Sequence, residues 1–182
     1  WMAENLKVTK YRNGDNITNI TTNSDWASNT SGAYGVYDND ETNSDSYGLL
    51  YNWYAVDNSS GRYICPEGWH VPTRIEYDVL STYLGGYLVA GGKMKDPGTD
   101  HWQNPNSGAD NATSSGFNAR GNGYRRNNNG EYIYIKQYSY IWSSTPNGSS
   151  AYYRRLKNDS TMYREFSSSK KFGFNVRCLK DN

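Results

Sequence analysis

Only one stretch of this chain carries a sustained helical period, and it precedes the strands instead of alternating with them. Pro72 suits the first turn of a helix, where its missing N–H costs nothing. Thr73 and Glu76 have the spacing of a capping box, which competes with a start nearer Val71. Ile75, Val79, Leu80 and Tyr83 then fall at helical spacing and mark the face expected to pack. Gly85-Gly86 supplies the stop. After Glu131 the pattern changes to short segments rich in Tyr, Ile and Val: "EYIYIKQ", "YSYIWSST", "SAYYRRLK", "STMYREF" and "FGFNVRCLK". Pro146-Asn147-Gly148 and Asn158-Asp159-Ser160 divide them as turns, predicting antiparallel strands. One main early helix followed by C-terminal antiparallel strands makes the fold class α+β, not βαβ.

The rest is loop-rich. Residues 1–9, "WMAENLKVT", are expected to form an opening strand anchored by Trp1 and Leu6. Residues 10–46 are mostly Asn, Asp, Ser, Thr and Gly with no period, and read as long loop. "YGLLYNWYAV", Tyr47 to Val56, is expected to be buried, as strand or short helix. From Leu88 to Arg126 we expect loops around buried Trp102 and Phe117. The 182 residues suffice for a single domain over 1–182 with a real core.

Hydrophobic residues are only 35% of the chain, so the core must be built from rings: 18 Tyr, 6 Trp and 4 Phe. That aromatic content argues against disorder. A net charge of +1 without a basic block gives no support to nucleic acid as a partner. No run approaches the roughly 18 apolar residues of a membrane span. The chain opens on Trp1 without a signal peptide, which reads as a fragment or mature product.

Two cysteines, Cys65 and Cys178, could form a disulfide or remain buried thiols. The even count, polar surface and loop-rich sequence favour the disulfide. Seven Asn-x-Ser/Thr triplets begin at Asn16, Asn19, Asn29, Asn58, Asn111, Asn147 and Asn158. In a chain so rich in these residues, chance accounts for them better than glycan acceptors do.

Several phrases in order, "WMAENL", "YGLLYNWYAV", "ICPEGWHVPTRIEY", "AGGKMK", "GYR", "YIWSST" and "GFNVRCLKD", resemble the Fibrobacter succinogenes major paralogous domain across essentially the whole chain. The resemblance implies a bacterial, exported domain, often attached to lipoproteins or adhesin-like proteins. More remotely, "GWHVPTRIEYDVL" and "GFNVRC" look like the helix and closing strand of formylglycine-generating-enzyme-like domains. That likeness implies a C-type-lectin-like fold. It also implies that Cys65, before the helix, is bonded to Cys178, in the closing strand. Proteins of this fold include targets of diversity-generating retroelements. The Tyr-, Ser-, Asn- and Arg-dense region from about Tyr134 to Ser169 would suit such a variable protein, although exposed strands carry those residues anyway.

Catalysis finds little in the sequence. His70 and His101 lie far apart with no zinc-type spacing, and both read as structural or local hydrogen-bonding groups. Ser143-Ser144 lacks a G-x-S-x-G context. We expect no catalytic residue and no cofactor. "DNDETNSD", Asp38 to Asp45, is dense enough in oxygen to suggest Ca²⁺, but it fails the EF-hand pattern and reads better as a solvated loop.

Binding remains, and Tyr, Ser and Asn suit it, giving contact area at low rotamer cost with adaptable hydrogen bonds. Strand alternation selects Tyr153 and Arg155 over Tyr152, Arg154 and Leu156. The same rule, with Met162 and Phe166 expected to pack, selects Tyr163, Glu165 and Ser167. Tyr138 and Tyr140 flank Ile141-Trp142, and Asn147 and Ser149 lie in a turn. These nine residues are the candidate ligand contacts, for a protein or glycan on another surface, by a monomeric domain outside the cell or on its surface. An oxidoreductase of the formylglycine-generating type and a structural or fimbrial module are the rival readings.

Overall fold

The computed structural model of the chain describes residues 1–111 and 114–181. Its first half is assembled from short pieces. β1 (Thr18–Asn19), α1 (Asn23–Ser28), β2 (Ala33–Gly35), α2 (Thr42–Tyr47), β3 (Leu50–Tyr51) and α3 (Trp53–Val56) precede β4 (Trp69–His70). Then come α4 (Arg74–Tyr83) and α5 (Ala90–Met94). β5 (Asn122–Arg125), β6 (Tyr132–Ile135), β7 (Tyr138–Asn147), β8 (Ser150–Lys157), β9 (Arg164–Ser169) and β10 (Leu179–Lys180) complete the chain. The α+β class holds. Among the described residues, no helix is long and apolar enough to cross a membrane.

Five strands form the main sheet in the order β6-β5-β7-β8-β9. All its pairs are antiparallel except β5 with β7, which is parallel. A second sheet has the order β1-β2-β3, and β4 pairs with β10. Both faces of the main sheet carry apolar material, as "YIW" in β7 requires. Ile141 and Leu156 pack with Tyr77, Met94, Trp102 and Tyr163 on the helix side. Trp142 packs with Tyr51, Phe174 and Val176 on the other. The indole of Trp142 donates to the Tyr51 carbonyl and that of Trp53 to the Ser143 carbonyl, both at 2.9 Å, which locks β7 to the first half.

The segment Gly173–Cys178 is buried throughout and runs between the parts. Gly173 exchanges both backbone hydrogen bonds with Arg125, and Phe174 does so with Tyr51. The Asn175 N–H donates to Tyr140, and its carbonyl accepts from Trp142. Leu6 donates to Val176, and Met2 to Cys178. Cys178 is bonded to Cys65, a sequence separation of 113.

Loops expose carbonyls with no ladder partner, and buried polar groups must be satisfied. Buried cations serve here. The Arg125 guanidinium lies between the rings of Trp26 and Tyr132 and donates to the carbonyls of Gly130, Ile20 and Thr22. Arg177 donates to Asn5 Oδ1 and to the Phe117 carbonyl, and burial lowers its pKa to about 10. The Lys95 ammonium donates to the carbonyls of Lys157, Asn158 and Ser160, each at 3.1 Å. Burial lowers its pKa to about 8.

Several expectations need correction. The capping box is present, with Thr73 as the cap, so Pro72 lies before the helix and not in its first turn. Of the four stripe residues of α4 only Leu80 packs on the helix-side core; Ile75, Val79 and Tyr83 face outward, 68%, 65% and 85% exposed. Tyr77 and Ser81 are buried instead, and the part-exposed Arg74 and Asp78 turn to the sheet beneath, which presents charge. Arg154 of β8, nearly buried, takes Asp78 at 2.6 Å and the Arg74 carbonyl at 2.9 Å. Arg74 in turn binds Glu165 of β9 at 2.6 Å.

Residues 1–9 form no strand, although Leu6 is buried and Trp1 packs on Tyr77 and Phe117. Their backbone donates singly to Val176 and Cys178 instead of forming a ladder. Residues 10–46 hold β1, α1, β2, a 3-10 turn at Tyr37–Asn39 and most of α2, and Leu88–Arg126 holds α5 and β5 around the buried Trp102 and Phe117. Tyr47–Val56 is both strand and helix, divided at Asn52, whose side chain caps α3.

Two measurements follow from these ties. Replacing Cys65 and Cys178 by Ser frees a very long loop in the unfolded chain, so urea unfolding should show a loss of about 4 kcal/mol. His70 joins α4 to the C-terminus through Glu76 at 2.9 Å and Asp181 at 2.6 Å. Partial burial would lower its pKa, but the bonds to Asp181 and Glu76 prevail and raise it. Protonated His70 therefore stabilises the fold below about pH 6.5, and this contribution is lost as pH rises through the higher folded value. The pair is part-exposed, so the difference between wild type and His70→Asn should be under about 1 kcal/mol at pH 5.5 and should vanish by pH 9.

Candidate ligand-binding face

Alternation in the long strands sorts their side chains cleanly. Tyr138, Tyr140 and Trp142 of β7 share a face, opposite Lys157, Arg155 and Tyr153 of β8 in the register. Phe166 and Arg164 of β9 stand opposite Tyr153 and Arg155. Tyr134 of β6 and Tyr124 of β5 extend the face at its other end. The result is a row of rings: centroids are 5.2 Å apart for Tyr134–Tyr138, 5.7 Å for Tyr138–Tyr140, 5.7 Å for Tyr140–Tyr153 and 5.8 Å for Tyr153–Phe166. Phe174 closes over the middle of the row, 5.0 Å from Tyr140 and 4.7 Å from Tyr153. Trp142 and Tyr140 are thereby buried, whereas Tyr138, Tyr153 and Phe166 are half-exposed and Tyr134 is 43% exposed.

Tyr134 is also held at φ 66°, where a bulky L-residue is strained. Lys136, two residues on, is at φ 60°. Tyr134 lies near the end of β6 and Lys136 in the tight connection to β7, which Lys136 fixes by bonding the Gly121 carbonyl and accepting from Gln103. The Tyr134 ring lies 5.2 Å from that of Tyr138 and 6.0 Å from that of Tyr124.

Cations are set among the rings. The Arg155 guanidinium lies 4.5 Å from the Phe166 ring and 5.5 Å from that of Tyr138. Lys157 lies 5.7 Å from Tyr138 and bonds Asp159 at 2.8 Å. These groups line a hollow of about 250 Å³ that also reaches Ser160 and Arg164. Burial raises the phenol pKa values of Tyr124, Tyr140 and Tyr153, so the phenols stay neutral and the charge on the face is cationic.

The nine predicted contacts fall into three groups. Tyr138, Tyr153 and Arg155 come together on this face. Tyr140 is on it but lies beneath Phe174 and is 7% exposed. Asn147, Ser149 and Ser167 are exposed at the β7–β8 hairpin end, where Asn147 Nδ2 donates to Ser167 Oγ at 3.0 Å. Tyr163 and Glu165 point to the helix side, contrary to expectation. Tyr163 is 1% exposed and lies edge-on to Tyr77. Glu165 is consumed by Arg74 and Arg154, at 2.6 Å and 2.8 Å.

The error has one cause: the phase of β9 is set by Phe166 packing on Tyr153 of the open face, not by Phe166 entering the helix-side core. Arg164, Phe166 and Tyr124 were missed because cross-strand register decides their side. Lys157 alone was recoverable from alternation within β8.

Elsewhere the polar side chains singled out in the sequence are hydrogen-bonded within the fold. His101 Nδ1 bonds Asp96 at 2.6 Å, its ring edge-on to Tyr47. Ser143 Oγ donates to the Tyr152 carbonyl at 3.0 Å. Asp40 accepts from Thr42 in the acidic loop. Among the described residues, no three His, Cys, Asp or Glu side chains converge as metal ligands.

Fold and face together define an α+β domain that presents an ordered aromatic and cationic surface beside a disulfide-tied core. The chain belongs to the family described as the Fibrobacter succinogenes major domain, which matches residues 1–180. Curated proteins and solved structures give no match.

The buried phenols give a direct check. A folded phenol with a raised pKa keeps its proton while the unfolded chain loses its own near pH 10, so stability falls as pH climbs past about 10. Ultraviolet titration should show a normal class of tyrosines and a late class that ionises only on unfolding. Tyr140→Phe should shrink the late class, and an unchanged late class would mean that the Tyr140 phenol is open to water.

Proposed function

We propose that this domain is a noncovalent recognition module, displayed outside a bacterial cell, that binds its ligand through the ring-and-cation face of the main sheet. The observation that carries this reading is the cross-strand row Tyr134, Tyr138, Tyr153 and Phe166 with Arg155 held among the rings. Monomeric domains rarely leave aromatic and guanidinium groups ordered at a surface without a partner, and such residues dominate binding energy where they are found. Tyrosines already packed edge to edge lose little freedom on contact.

Display outside the cell is supported by the disulfide, which persists in oxidising compartments. The C-type-lectin-like fold is part of the proposal and rests on the resemblance of "GWHVPTRIEYDVL" and "GFNVRC" to the helix and closing strand of that fold. Diversification of the face by a retroelement would fit the same surface. It would be marked by a neighbouring reverse transcriptase and a template copy differing at adenines.

Screening immobilised glycans and surface proteins should give saturable binding. Tyr134→Ala and Arg155→Ala should each weaken it at least about tenfold, or 1.4 kcal/mol, while unfolding stays cooperative. A ligand bound equally well by both variants would place recognition elsewhere.

A further inference from the structure

The charges on the face restrict what can bind there, provided that the face is the binding surface proposed above. Arg155 and Arg164 are directly opposed in the β8–β9 register. Like charges so placed repel and destabilise a sheet unless an anion stands between or beside them. The nearby acids are directed elsewhere: Glu165 to Arg74 and Arg154, and Asp78 to Arg154. Asp159 is the carboxylate of the hollow, and Lys157 holds one of its oxygens. Among the described residues, neither Arg155 nor Arg164 has a carboxylate within ion-pair distance. Arg164 instead directs Nε and Nη2 to the Met162 sulfur, at 3.2 and 2.9 Å, a weak acceptor for so strong a donor.

We propose that the hollow takes an acidic saccharide, its carboxylate received by Arg155 and Arg164 and its ring laid against Tyr138. Two planar forks suit a planar carboxylate, and stacking on Tyr138 and Phe166 holds the Arg155 fork in place beforehand. The floor is fixed as well: Lys95 ties the carbonyls of Lys157, Asn158 and Ser160 from below.

The rest of the hollow favours a sugar over an acidic peptide. Its volume, about 250 Å³, suits one ring and not an extended chain. The second Asp159 oxygen and the Ser160 hydroxyl offer acceptors to sugar hydroxyls close to the carboxylate.

The test is calorimetric titration of the intact domain with trigalacturonate, its full methyl ester and a glutamate decapeptide. Trigalacturonate should bind saturably, and the neutral ester at least tenfold more weakly. Arg155→Gln and Arg164→Gln should each weaken the acid at least tenfold while thermal unfolding stays cooperative. Lys7→Gln, at a pair with Glu4 remote from the sheet, should change nothing. Added salt should weaken the acid and leave the ester unaffected.

Equal binding of acid and ester, with loss of both in Tyr134→Ala, would overturn the acidic assignment and leave the face standing. Tighter binding of the decapeptide would overturn the saccharide. Binding of trigalacturonate unaffected by the Arg and Tyr variants would sink the proposal and the face together. No saturable binding of trigalacturonate by about 10 mM, a free energy under ~3 kcal/mol, would overturn the proposal outright.

Discussion

The backbone hydrogen bonds of Gly173–Cys178 are the interaction on which the rest of the structure depends. That segment is too irregular to read as a strand, yet it bonds Arg125, Tyr51, Tyr140, Trp142, Leu6 and Met2 in turn. It therefore joins the main sheet, the smaller sheet and the first residues of the chain. Ordering each residue of a loop costs roughly 1–2 kcal/mol of backbone entropy. A chain with this much loop cannot recover that cost from local ladders, so long-range ties must supply the difference. The Cys65–Cys178 bond shortens the unfolded chain's largest loop in the same place. Phe174 carries the effect to the surface, because its ring sets how far Tyr140 and Tyr153 are covered.

Buried cations are the second means by which loops are made to hold. Arg125 ties carbonyls of two separate segments, Arg177 ties the Phe117 carbonyl to Asn5, Lys95 gathers three carbonyls of one turn, and each lies against a ring. None has a carboxylate as its main partner. A guanidinium or ammonium surrounded by carbonyl dipoles keeps its proton at a cost in desolvation, seen in the lowered pKa values of Arg177 and Lys95. In return, one side chain fixes two or three loop positions. Lys95 reaches the face most directly, because the positions it fixes include Lys157 and Ser160 beside Arg155.

What the sequence revealed follows the range of the interactions involved. The capping box of α4, the strand-rich C-terminus and the buried Trp102 and Phe117 rest on local signals, and they were legible. The inward face of α4 was not, because its partner is the buried Arg154 of a strand far along the chain. An apolar stripe of Ile75, Val79 and Tyr83 is a fair local guess that a charged docking surface overrules. Within β8 the alternation was sound, since Leu156 fixes its phase. Within β9 it was inverted, since Phe166 packs on the open face with Tyr153. Tyr134 was invisible as a contact because its place depends on a left-handed backbone that no residue pattern announces.

The account depends on the C-terminal segment being the tie that every other part must release before it can unfold. Native-state hydrogen exchange measures this residue by residue. The amides of Phe174, Asn175, Tyr51 and Trp142 should exchange only through global unfolding, with the same free energy as denaturant unfolding of the whole chain. Exchange of these amides through a cheaper local opening, while the β7–β8 ladder stays closed, would show that the segment is an attachment and not the tie.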